Sequence, residues 1–168
     1  NPDPHRWDGK LLPFEIKDLQ AAVARTEKGK AEVKSITFAE AKTNDGQRML
    51  AVNDIFVGPK SHTSARYCLT HDGRSEVQSS SGIIVSTGFG STGWFQSILA
   101  GAMGVMGMDS HALRHGFGWG ERRLQFAVRE PFPSRTTGAH LVFGNVEDGK
   151  TLKVESHMPG NGVVFSDG

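Results

Sequence analysis

Residues 79–97 read SSSGIIVSTGFGSTGWFQS, and this stretch concentrates the residues whose types and spacing could do chemistry. Gly88, Gly90 and Gly93 surround the hydroxyl pair Ser91-Thr92, directly after the β-branched run Ile83-Ile84-Val85. Residues without side chains let backbone N–H groups come close to a ligand. A helix starting at about Thr92 would add its unpaired amides and positive dipole end, which favour phosphate. Ser91 or Thr92 could cap that helix or bond the ligand. The letters also match G-x-G-x-x-G. That fingerprint, however, opens the first strand–helix–strand unit of an α/β domain, with an acidic residue about twenty positions on. Here the loop lies mid-chain in a β-rich setting, and the next strand signal comes only near Arg122. A tight strand-to-helix turn with no ligand is the plainer alternative.

Two further groups were weighed for chemistry. His111 and His115 stand at i, i+4 with Asp109 nearby. Two histidines on one helical face can bind zinc, but the glycines around them do not read as a helix, and spacing places no third ligand, so no metal site is predicted. Cys68 is the single cysteine. It excludes an internal disulfide and a thiolate cluster, reads as a small core thiol in the strand RYCLT, and fits a reduced, cytoplasmic setting.

The elements that must position the loop are mostly strands. FEIKDLQAAVARTEKG reads as a helix with Phe14, Ile16, Leu19, Ala22 and Val23 near one face. After it the pattern turns to β. EVKSITFAEAK partly alternates, Asp45-Gly46 supplies a turn, and RMLAVNDIFVG returns as one strand. The same device recurs at Asp72-Gly73 and at Asp148-Gly149. GIIVST, LQFAVRE, AHLVFGN, TLKVES and GVVFS complete the strands, and residues 104–121 read as a long glycine-rich loop. The expected architecture is mainly β: an antiparallel, sandwich-like domain over residues 1–168 with one or two short helices.

The 168 residues suffice for one domain with a real core, and 19 basic against 18 acidic residues give no electrostatic case for nucleic acid or an anionic membrane. The basic run from Arg25 to Lys34, interrupted by Glu27 and Glu32, reads as a solvated surface. SILAGAMGVMGM is too short to span a bilayer, and NPDPHRWDG lacks the apolar core of a signal peptide. Asn1 in place of Met, and an end directly after an apolar run, fit a fragment of a longer protein.

The loop resembles a motif of the NAD kinases, D-G-L-I-V-S-T-P-T-G-S-T-A-Y. Gly82-Ile83-Ile84-Val85-Ser86-Thr87 and then Gly90-Ser91-Thr92-Gly93-Trp94 follow its order and spacing. Upstream, Ala51-Val52-Asn53-Asp54-Ile55 resembles the family's A-L-N-E-V. Ser80-Ser81-Gly82, Trp94 and Arg129-Glu130-Pro131 are similar to the divergent branch that includes the mitochondrial NAD kinase, as are the opening Asn1-Pro2-Asp3-Pro4 and the closing Phe165-Ser166-Asp167-Gly168. Asp54 stands where the family usually has Glu, one methylene shorter, and Ser81 where most members have Asp. The family's G-G-D-G motif is not in this sequence.

The resemblance implies the C-terminal domain of a two-domain kinase that transfers phosphate from ATP, or polyphosphate, to the adenosine ribose 2′-hydroxyl of NAD. An N-terminal α/β domain carrying G-G-D-G would hold the donor and Mg²⁺, so no catalytic residue is assigned here and the chain alone is expected to be inactive. Asn53 would pair with adenine, its amide offering a donor and an acceptor to N6 and N7. Asp54 would accept bonds from ribose hydroxyls. Gly90 and Gly93 would admit the dinucleotide, and Ser91, Thr92 and Ser97 would bond it. Trp94 would stack on adenine or a neighbouring subunit, or pack in the core. A homo-oligomer is also implied. Two alternatives stay open: the corresponding domain of a diacylglycerol- or sphingoid-type lipid kinase, and a non-catalytic β module that binds a nucleotide.

Overall fold

The Asp-Gly pairs mark where the chain reverses, and the structure, a computed structural model, shows what each reversal joins. It describes residues 1–7, 9, 12, 14–111 and 115–167. Two compact units are present, Asn1–Ser35 and Ile36–Gly168. In the first, a 3₁₀ turn (Ile16–Asp18) runs into helix α1 (Leu19–Glu27). A reciprocal cap opens it, the Glu15 N–H donating to the Asp18 carboxylate at 3.1 Å. The last turn closes with Lys30 N–H on the Arg25 carbonyl and Gly29 N–H on the Thr26 carbonyl, the two bonds of a Schellman end. The apolar face read from the sequence exists, but Phe14, Ile16, Leu19 and Val23 are all exposed.

The second unit is mainly β, as composition and turns predict. Its strands are β1 (Ala39–Lys42), β2 (Arg48–Ala51), β3 (Asp54–Pro59), β4 (Ala65–His71), β5 (Arg74–Ser80), β6 (Ile83–Ser86), β7 (Arg123–Val128), β8 (Phe143–Glu147), β9 (Lys153–Ser156) and β10 (Gly162–Ser166). Five form an antiparallel sheet in the order β10-β3-β6-β7-β8, three a sheet in the order β5-β4-β9, and β1-β2 a separate hairpin.

Period-2 alternation explains how the large sheet is covered on both faces. Ile83, Phe126 and Val128 point to one side, where they meet Ala65, Tyr67 and Leu69 of the three-stranded sheet. Ile84, Ala127 and Phe56 point to the other, where they meet Phe95. Phe95 belongs to helix α2 (Trp94–Val105) and is buried, worth about 1.5–3 kcal/mol of transfer free energy. That contact, with Ile98 and Leu99 beside it, carries the helix through Gly101 and Gly104, where intrinsic propensity argued against one.

Three expectations change. RMLAVNDIFVG is two strands in two sheets, interrupted at Val52-Asn53. Asp72-Gly73 makes a two-residue hairpin between β4 and β5, with φ of 45° and 75° as a tight turn requires, whereas Asp148-Gly149 carries the chain from the five-stranded sheet to the three-stranded one. Cys68 is half-buried on the outward side of β4, because the core side of that strand belongs to Ala65, Tyr67 and Leu69. No helix is long and apolar enough to cross a membrane among the described residues.

Candidate functional site

The interruption at Val52-Asn53 lies at one end of the large sheet. There β3 begins at Asp54 opposite Ser86, the last residue of β6, and β10 ends one residue before Asp167. Residues 52–54 are gripped from two directions. Thr87, buried, donates its hydroxyl to the Val52 carbonyl at 2.5 Å and to the Asn53 carbonyl at 3.1 Å, and its own N–H donates to Asn53 O at 2.9 Å. From the other side, the Asp167 carboxylate accepts the N–H groups of Val52, Asn53 and Asp54 at 2.9, 2.6 and 3.2 Å. Where the chain passes between strands at Val52-Asn53, two side chains thus satisfy most of the backbone polar groups that a ladder would otherwise pair.

The glycines serve this same contact. A methyl group on Gly90 would sit 2.2 Å from the Asn53 carbonyl oxygen, and one on Gly88 would sit 2.1 Å from the carbonyl oxygen of Gly118. Both positions are buried, so their lack of side chains is accounted for by the chain's own backbone, packed against itself. Gly90 N–H also donates to the Thr87 hydroxyl at 3.1 Å. The loop then makes a 3₁₀ turn (Gly90–Thr92), and α2 starts at Trp94, slightly later than the spacing predicts.

Asn53 and Asp54 emerge from this arrangement with recognition capacity unspent. Asn53 is half-buried, and its side-chain amide makes no hydrogen bond among the described residues. Asp54 is only 6% exposed, and its carboxylate likewise accepts none. Burial raises the Asp54 pKa above the ordinary carboxylate value, and the neighbouring Asp167 charge raises it further. Burial pushes Asp167 the same way, but its three backbone N–H donors outweigh that and hold its pKa low.

The remaining sequence-predicted residues follow along the loop. Ser91 is buried and turned inward, donating to Gly88 O at 2.7 Å and accepting from Phe117 N–H at 3.1 Å. Thr92 is half-buried and Gly93 exposed. Ser97 is exposed on the first turn of α2, its hydroxyl on Gly93 O at 3.4 Å. The Trp94 ring stacks on Phe56 at 5.6 Å and on Phe165 at 6.3 Å, with the Arg129 guanidinium 5.3 Å above it. Part of the expected loop at 104–121 is firmly seated: Gly118 lies against Gly88, and Trp119 meets Phe89 edge-on at 4.8 Å. His111 and His115 flank Ala112–Arg114, which lie outside the described residues. Among the described residues no group of three His, Cys, Asp or Glu could hold a metal ion, so Mg²⁺ has no ligand set there.

Sequence reasoning did not assign Thr87 or Asp167 to the site. Both lie inside quoted motifs, but their partners are 34 or more residues away in the chain.

The fold is similar to that of yeast NADH kinase, whose crystal structure holds NADH. The likeness has a TM-score of 0.53 at 17% identity and covers 89% of this chain and 36% of that one. At that identity it is a likeness of fold. The chain spans 36% of the length of the kinase chain it matches. No family model matches the sequence, and no curated protein matches it.

Proposed function

We propose that this chain is the dinucleotide-binding domain of an NAD kinase, related in its motifs to the branch that includes the mitochondrial enzyme. One observation carries the reading: Asn53 and Asp54 are consecutive residues on a backbone held by Thr87 and Asp167, and neither side chain is spent on a protein partner among the described residues. An amide can pair with the N6/N7 edge of adenine, and an ionised carboxylate accepts hydroxyl donors of ribose. A fold shared with a kinase whose structure contains NADH supports the same ligand class. The positive end of α2 lies at the loop that follows, where it favours phosphate.

In this reading the chain holds the acceptor rather than activating it. Phosphoryl transfer depends on positioning and charge stabilisation, and rigid placement of the ribose supplies the first. ATP and Mg²⁺ are assigned to a further, N-terminal domain of the whole enzyme, which acts as a homo-oligomer in the cytoplasm.

Calorimetric titration of the chain with NAD and NADH tests the reading, with Asn53→Ala alongside. Binding should weaken by about 1–3 kcal/mol in the variant, roughly 5- to 150-fold in Kd. A parent chain that binds neither dinucleotide would refute the reading; binding that ignores the substitution would remove Asn53 from it.

A further inference from the structure

We infer that Asp167 is the positioning residue of this site: its carboxylate, by binding three consecutive backbone N–H groups, sets the angle at which the Asn53 amide faces a ligand. The inference rests on the dinucleotide reading above.

Three observations support it. First, the chain breaks its strand where the two recognition residues begin. An unbroken strand from Arg48 to Pro59 would give Val52, Asn53 and Asp54 ordinary ladder partners. Instead the three N–H groups converge on one carboxylate at 2.6–3.2 Å. Second, Asp167 adopts φ +57°, a left-handed conformation that side-chain-bearing residues adopt only at a cost, although Asp and Asn tolerate it best. That backbone turns the carboxylate back across β3, while Asp167 N–H extends the β10–β3 ladder by a bond to Asp54 O at 3.1 Å. Third, the arrangement has a direct electrostatic drawback. A carboxylate beside Asp54 opposes the ionisation of a group that accepts hydroxyl donors most strongly when charged. A purely structural tie could be made by a neutral acceptor. The charge-assisted bonds give a stiffer hold on three donors at once.

Thr87 completes the clamp by donating to the carbonyls of Val52 and Asn53, two of the three residues. The N–H groups and carbonyls of one short segment are thus fixed by side chains from two different places in the fold. The Asn53 amide, on a two-torsion side chain, inherits its direction from that backbone.

The test compares NAD with nicotinamide hypoxanthine dinucleotide, which lacks the adenine N6 donor, in the whole chain and in two variants. Asp167→Asn keeps the shape and the tolerance for left-handed backbone but loses the charge. Asp167→Gly removes the clasp and adopts the same backbone freely. The parent should prefer NAD about tenfold, the discrimination of one good base contact. Both variants should bind NAD about tenfold more weakly and bind the hypoxanthine analogue nearly as the parent does, so that the preference collapses. Amide hydrogen exchange should quicken at residues 52–54 while Ile84 and Phe126 stay protected. Equal loss for both dinucleotides, or unfolding of both variants, would make Asp167 merely structural and overturn the inference. So would a preference unchanged in either variant. A parent that binds NAD and responds to Asn53→Ala, with Asp167 variants unaffected, sinks this inference alone; a parent that binds neither dinucleotide sinks the reading beneath it.

Discussion

Asp54 is subject to two opposing requirements. On the proposed reading it accepts both ribose hydroxyls best when ionised, yet burial and the Asp167 charge both favour its protonated form. The sign follows directly. With its pKa raised, Asp54 is charged only above a pH higher than the ordinary carboxylate value of about 4. Affinity for NAD is therefore expected to fall, on acidification, through a midpoint displaced upward from that value. Titration calorimetry across the acid range measures it. An affinity flat down to the ordinary carboxylate range would show that Asp54 does not bind in its charged form. Asn53 and Asp54 were singled out in the sequence because Ala51-Val52-Asn53-Asp54-Ile55 resembles the A-L-N-E-V of the NAD kinases. Thr87 and Asp167 were not, since what they do depends on backbone groups 34 and 114 residues distant. A single sequence carries no trace of such pairs.

The elements themselves were largely readable. β10 was anticipated to the residue, and the Asp72-Gly73 hairpin was marked by its own turn chemistry. What was not readable was the division of one apolar run into β2 and β3. Residues 48–58 have strand character throughout, and only the competing bonds of Thr87 and Asp167 interrupt it. The glycines divide similarly. Gly90 is required by contact with another backbone segment, whereas Gly104, on an exposed part of α2, has nothing within 4 Å of its missing side chain. Gly90→Ala should therefore lower stability and abolish NAD binding, because residues 52–54 must move aside. Gly104→Ala should raise stability by about 1 kcal/mol through helix propensity alone. Urea denaturation of the two variants distinguishes them, and an equal effect in both would mean that the close approach at Gly90 is relieved at no cost.

At the scale of the whole molecule, the site is a source of instability that the cores around it offset. Burying a charge without a partner disfavours folding at neutral pH. Asp54→Asn should consequently melt at a higher temperature than the parent at pH 7 while binding NAD poorly. Its advantage should shrink as pH falls through the raised Asp54 pKa, where the parent protonates and the penalty disappears. Asp167 has the opposite sign: its depressed pKa contributes stability above the unfolded carboxylate value, and that contribution is lost as pH falls through the folded one. Differential scanning calorimetry at several pH values separates the two, and an Asp54→Asn variant melting below the parent at pH 7 would contradict the account. The β1-β2 hairpin packs on the large sheet, Ala39 and Ala51 lying buried with Ile55, and the chain passes between the two through only Val52-Asn53. One of those two residues is the proposed reader of the base. On the proposed reading, a dinucleotide docked at Asn53 should slow amide exchange in the β1-β2 hairpin as well as at residues 52–54.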